Sequence, residues 1–215
     1  HPYCIEAGTY RMDFISFPGD NRNMNVVFQD KKGRIWLGSH GGVFCLDENY
    51  RLLSVHPMEV VFCLLEGENE DEVLVGTTKG LRRIVLHHDG NRTYSVPTPL
   101  EDGGVTTLLR DSLRRLWLGS LNGLYLANPD LTIFKKFDFA DNIQGLVFNS
   151  SSGQKASNGM AFFGGINGIN YFFPEKIAMD DRPLSVSVQS VRVNDRNSVA
   201  WWQPVAKFTV PFGQN

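Results

Sequence analysis

The apolar positions of this chain fall into short runs separated by polar turns. Val26-Val27-Phe28 leads into Asp30-Lys31-Lys32-Gly33, then Ile35-Trp36-Leu37-Gly38-Ser39, a glycine-bearing break and Val43-Phe44-Cys45-Leu46. Apolar runs of about four to eight residues bounded by turn formers read as β-strands, and two joined by a D-x-x-G turn read as a hairpin. The G-[ST]-x-x-G segment reads as a second tight turn, its glycines supplying backbone angles that a β-branched residue cannot adopt. A weaker fourth strand follows each third one, as in Leu52-Leu53-Ser54-Val55 and Ile133-Phe134-Lys135-Lys136-Phe137.

The pattern recurs. I-W-L-G-S-H-G-G-V, L-V-G-T-T-K-G-L, L-W-L-G-S-L-N-G-L and F-F-G-G-I-N-G-I place their first glycines at Gly38, Gly76, Gly119 and Gly164, spaced 38, 43 and 45 residues apart. Four strands in about 42 residues is the size of one propeller blade. A lone blade cannot bury both faces of its sheet, so blades must stack around an axis. A β-sandwich would need four copies of one turn motif to arise by accident. The expected fold class is therefore all-β: about four propeller blades over residues 1–178, forming a partial propeller, with 9–17 as a strand of a preceding blade.

Composition narrows the function classes. The 215 residues carry 21 basic and 23 acidic side chains, a net charge of -2, with 42% hydrophobic and 20% charged residues. That apolar content argues against disorder. Near-zero charge gives no electrostatic reason to bind nucleic acid or an acidic membrane, and no apolar run reaches the ~18 residues of a membrane span. The chain starts His1-Pro2-Tyr3 with no methionine, which fits a removed signal or excision from something larger.

Catalytic chemistry finds no support. Cys4, Cys45 and Cys63 are an odd, sparse set that matches no zinc spacing. They are expected to be buried small hydrophobes; a Cys45–Cys63 bridge has nothing in its favour. His1, His40, His56, His87 and His88 have no metal-ligand spacing, and neither a G-x-S-x-G elbow nor a phosphate loop occurs. The acidic run Glu66-Gly67-Glu68-Asn69-Glu70-Asp71-Glu72 lacks EF-hand spacing and reads as a solvated hairpin. No cofactor, metal or catalytic residue is assigned. Trp36 and Trp117 share one repeat position and are expected to pack between blades, while Trp201-Trp202 falls outside the repeats.

The motif D-x-x-G-x-[IL]-W-[LIV]-G-[ST]-x-x-G-[LV], met at 30–43 and at 111–124 with Arg114 replacing a glycine, resembles the two-component regulator propeller repeat. The phrase F-F-G-G-I-N-G-I-N-Y-F-F-P-E-K-I at 162–177 is similar to the closing blade of that family's receptors. Its Pro-led successor at 183–194 and the segment 208–215 resemble the start of an Ig-like Y_Y_Y domain, giving a second module over 179–215 that stops after two or three strands. The resemblance implies the periplasmic sensor of a hybrid two-component receptor, typical of Bacteroidetes, responding to oligosaccharides and controlling polysaccharide-utilisation genes. It implies no enzyme within this chain, a kinase lying elsewhere, and a fragment or short relative of a much longer ectodomain. Missing blades or a homodimer would cover open sheet edges.

Repeat geometry nominates binding residues. The turn between second and third strands and the connection between blades open on one rim. His40, Lys79, Asn122 and Asn167 fall in such turns, and Asn142 in the 139–144 connection. Planar polar groups there suit sugar hydroxyls. The alternatives are ordinary turn roles, a protein-binding scaffold without signalling, and a propeller lyase or hydrolase.

Overall fold

A computed structural model describes residues 23–87, 90–100 and 103–179, together with Gly8 and the backbone of 3–5, 12–14, 192–193 and 196–197. The chain divides into two compact units, 1–179 and 180–215. The first opens on a ribbon of β1 (Tyr3–Ile5) and β2 (Met12–Phe14), so part of the segment expected as a single earlier-blade strand pairs with a partner upstream of it.

Three four-stranded antiparallel sheets follow in strict sequence order. They are β3 (Met24–Gln29), β4 (Ile35–Ser39), β5 (Gly42–Leu46) and β6 (Leu52–Pro57); then β7 (Val61–Glu66), β8 (Glu72–Thr77), β9 (Gly80–Val85) and β10 (Arg92–Val96); then β11 (Val105–Arg110), β12 (Leu116–Ser120), β13 (Gly123–Ala127) and β14 (Phe134–Phe137). The fourth sheet holds three strands among the described residues: β15 (Phe148–Lys155), β16 (Ala161–Gly165) and β17 (Gly168–Phe172). The expected four strands per unit therefore hold for the first three blades. In the second unit a two-residue ribbon joins β18 (Arg192–Val193) to β19 (Arg196–Asn197). The Ig-like expectation and Trp201-Trp202 otherwise lie outside the described residues.

The first strands gather at the axis, with β3 against β7, β7 against β11 and β11 against β15. The Ser151 hydroxyl of the fourth blade donates to the Phe62 carbonyl of the second at 2.9 Å. Stacking buries both faces of the middle strands, so every residue of β5, β8, β12 and β13 is buried. Strands buried on both faces read as continuous apolar runs, whereas outer strands do not; β10, with sequence RTYSV, is almost wholly exposed.

The core consists of inter-blade layers. Trp36, Val43 and Cys45 pack on Val61, Leu64, Val73 and Val75. Cys63, Leu74 and Leu81 pack on Val105, Leu108, Leu118 and Tyr125. Leu109, Trp117, Leu124 and Leu126 pack on Phe148, Ala161 and Phe163. In the last layer the Trp117 ring lies 4.7 Å from that of Phe172. Cys45 and Cys63 are separate buried thiols. Burial pushes the Cys45 thiol up to about 12 and raises that of Cys63 as well.

Two expectations about turns are revised. The first glycine of each repeat does not sit in the turn: Gly38, Gly76, Gly119 and Gly164 lie within β4, β8, β12 and β16. A Cβ on Gly76 would stand 2.3 Å from Cys63 Sγ and 2.5 Å from the Val105 carbonyl of the next blade. This glycine is required for close approach of the first strands, which bulge opposite it in each blade. The turn angle belongs to the second glycine, as Gly42 (φ 135) and Gly123 (φ 120) illustrate. The acidic hairpin is also not simply solvated. Glu72 is buried against Arg83, Asp71 pairs with Lys32 and Arg34 of the preceding blade, and Glu68 pairs with Arg110 and Arg114 of the following one.

Candidate functional site

The rim is built by one hydroxyl in each of three blades. Ser39 Oγ accepts from Gly41 N at 3.1 Å and donates to the Gly42 carbonyl at 3.0 Å. Thr77 repeats this with Lys79 N and Gly80, and Ser120 with Asn122 N and Gly123. Each hydroxyl satisfies two backbone groups that a tight turn leaves unpaired, so the turn is rigid. The fourth blade has Gly165 at that position. Backbone bonds from His40 to Asn23, Thr78 to Val60 and Ile166 to Val147 tie these turns to the chain entering each blade.

Four of the sequence-nominated residues occupy these turns on one end of the unit. His40, Lys79 and Asn167 are exposed and Asn122 is half-buried. His40 Nδ1 lies 3.5 Å from Asn23 Nδ2. Asn142, also exposed, takes a left-handed conformation (φ 64) as the C-cap of the short 3-10 helix 139–141, a local structural role. The connection beyond it reaches two of the turns, because the Leu146 carbonyl accepts from Gly123 N at 2.6 Å and the Asn167 amide sits over Gly145. Asn122, Asn142 and Asn167 thus surround one connection, while His40 and Lys79 belong to separate turns.

The rim is electrostatically fixed at Glu59, in the connection between the first two blades. Burial opposes its ionisation, but its backbone hydrogen bond, Thr77 and Arg82 outweigh that and hold the carboxyl below the usual range. Its Oε1 accepts from Arg82 Nε at 2.9 Å and lies 2.9 Å from Thr77 Oγ1, whose single proton it shares with the Gly80 carbonyl.

Of the five nominated residues, Asn122 lines a cavity. A recess of about 280 Å³ is bounded by Pro99, Asn122, Tyr125, Phe134 and Lys136, and Lys136 Nζ donates to Asn122 Oδ1 at 3.4 Å. Pro99 and Phe134 also line a larger groove of about 920 Å³ between the outer parts of the second and third blades. Its walls include Arg83, Tyr94, Thr98, Asp130 and Thr132. Sequence reasoning missed this groove. The available signal was β10, a polar fourth strand carrying one exposed aromatic ahead of Pro97-Thr98-Pro99. Among the described residues no cluster of His, Cys, Asp or Glu could hold a metal ion. No helix among them is long and apolar enough to cross a membrane.

An all-β stack of four repeated blades is a β-propeller-like arrangement, and comparison with known proteins agrees on that fold. Residues 18–41 match the two component regulator propeller repeat. The chain is 23% identical over 197 residues to histidine kinase P4 of Formosa agariphila, covering 82% of this chain and 14% of that protein. Among solved structures, the extracellular domain assigned to the hybrid two component system BT3049 of B. thetaiotaomicron superposes with a TM-score of 0.65 at 18% identity, covering 80% of this chain and 25% of that one. The extracellular domain assigned to the one component system BT4673 gives 0.61 at 21% identity, covering 84% and 24% respectively. The chain therefore spans only a small part of the length of the relatives it matches.

Proposed function

We propose that this chain is part of the extracytoplasmic, periplasmic ligand-sensing region of a two-component receptor, and that the ligand is an oligosaccharide. The observation that carries the sensor role is the combination of a regulator-propeller repeat with likeness to the extracellular domains of such systems. The oligosaccharide is favoured by the polar rim that bears His40, Lys79, Asn122, Asn142 and Asn167, of which Asn122 borders a cavity with an aromatic wall. Sugars present hydroxyls to the first and an apolar ring face to the second.

Ligand would act by binding one arrangement of receptor protomers better than another, since only differential affinity shifts an equilibrium. A second copy or further strands covering the outer edge of β17 belongs to the same reading. The chemistry assigned to this region is recognition without catalysis. The test is a transcriptional reporter driven by the full-length gene product in cells fed purified polysaccharide digests. One digest should induce the reporter and also release heat on titration into the purified protein. Induction without binding would assign sensing to another component.

A further inference from the structure

We infer that the groove between the second and third blades is the main oligosaccharide subsite and that its occupant is a neutral sugar chain stacked on Tyr94; this rests on the sensing role proposed above. Both blades are flanked by further blades, so the groove does not lie at an end of the blade stack. Its volume of about 920 Å³ is within the range of small-ligand sites, about 300–1,000 Å³. The adjoining recess of about 280 Å³ extends it through Pro99 and Phe134 to Asn122 on the rim.

The walls carry complementary groups. Tyr94 on β10 stands directly opposite Arg83 on β9, so both side chains share one face of the sheet. Tyr94 is 43% exposed, which leaves its ring available for stacking. Arg83 Nε is buried 3.1 Å from the buried Glu72 carboxylate and has no hydrogen bond. Glu72 thus anchors the guanidinium electrostatically at the groove wall, and the terminal N–H groups are the donors that Arg83 can offer there. Across the groove, Asp130 offers a carboxylate with no ion-pair partner among the described residues, beside the Thr132 hydroxyl. A donor fork, an acceptor and an aromatic face match vicinal hydroxyls and the C–H face of a sugar ring. Charge selects within sugars. Glu72 already neutralises Arg83, and Asp130 in the groove is balanced by Lys136 in the recess, so the site has no net positive charge to attract an anionic chain.

The test is calorimetric titration of the full-length gene product with cello-, xylo-, manno- and laminari-oligosaccharides and with oligogalacturonate as the acidic probe. One neutral probe should bind. Tyr94→Ala and Asp130→Asn, both outside the buried core, should weaken it about tenfold each, with unchanged melting temperatures, while Glu48→Gln, in an exposed turn of the first blade, leaves affinity intact. Binding that survives Tyr94→Ala but is lost in His40→Ala would overturn the groove and keep the sugar reading. Binding of oligogalacturonate alone would overturn the neutral occupant. Heats absent across the whole panel would overturn both the groove and the oligosaccharide.

Discussion

The indole of Trp117 donates to Asp111 Oδ2 at 3.0 Å, and the same oxygen accepts from Arg115 Nε at 2.7 Å. Asp111 Oδ1 meanwhile accepts from the backbone of Leu113 and Arg115. Asp30, Arg34 and Trp36 repeat this arrangement bond for bond in the first blade. The arginine reaches onward. Arg115 donates to the carbonyls of Pro174 and Ile177 at 2.6 Å, and Arg34 pairs with Asp71 at 2.7 Å. In the second and fourth blades Leu74 and Phe162 pair at the tryptophan register, with Gly67 and Ala156 closing the hairpins in place of the aspartate. The Asp–Arg–Trp unit is thus kept whole or lost whole.

Removing Asp111 would strand a buried guanidinium, because the Arg115 side chain is only 8% exposed. Breaking one side of a buried pair costs about 3–5 kcal/mol, so Asp111→Ala should lower the denaturation midpoint severely. Asp30→Ala should cost less, since Arg34 keeps Asp71, which is 44% exposed. Equal losses in urea titrations of the two variants would contradict this account of the network.

A strand glycine and a hairpin-turn glycine should respond differently to substitution. Gly76→Ala drives a Cβ into Cys63 and the Val105 backbone and should cost about 1–3 kcal/mol or more as overpacking. Gly33→Ala meets open space but must hold φ +79, a conformational cost of about 1–2 kcal/mol. Crystal structures or amide shifts should show displacement of the neighbouring first strands in the Gly76 variant only.

His56 sets an acid limit on stability. Its ring is buried between blades, with Nε2 3.0 Å from Ser54 Oγ and Nδ1 3.3 Å from Thr93 Oγ1, and burial lowers its pKa. The unfolded chain, near the ordinary value of about 6.5, takes up the proton first. Stability should therefore be full above that value and fall as pH drops below it, levelling only below the depressed folded value. Thermal melts between pH 7 and 5 should show this decline, and His56→Gln should flatten it.

The thiols of Cys45 and Cys63 should be inert in the folded protein. With burial holding Cys45 protonated up to about 12, thiolate is scarce at pH 8 and access is blocked. Alkylation by iodoacetamide followed by peptide mapping should leave both unmodified until denaturant is added. Rapid labelling of either under native conditions would mean that blade packing opens locally.

Much of the fold was legible because repetition amplifies weak signals. The motif around Trp36 and Trp117 recurs at a period that only a four-stranded unit explains, and strands buried on both faces announce themselves as unbroken apolar runs. The groove was not legible in the same way. Arg83 and Tyr94 become neighbours through the register of β9 and β10, and Asp130 meets them only when the next blade docks. The residues nominated by repeat position share a rim, as symmetry requires, but symmetry places them at separate stations around an axis, and it is the docking of the third blade's outer strands that sets Asn122 beside a cavity.

The sequence alone determined the all-β class, the repeat length and the turns that end on Gly42, Gly80, Gly123 and Gly168, because these depend on local backbone preference and a periodic pattern of burial. Only the tertiary structure decided why Gly38, Gly76 and Gly119 are glycines, which carboxylates of the acidic hairpin are spent in ion pairs, and where the blades part to leave a groove. Those answers depend on atoms more than twenty residues apart meeting across a blade boundary, a distance that no local pattern encodes.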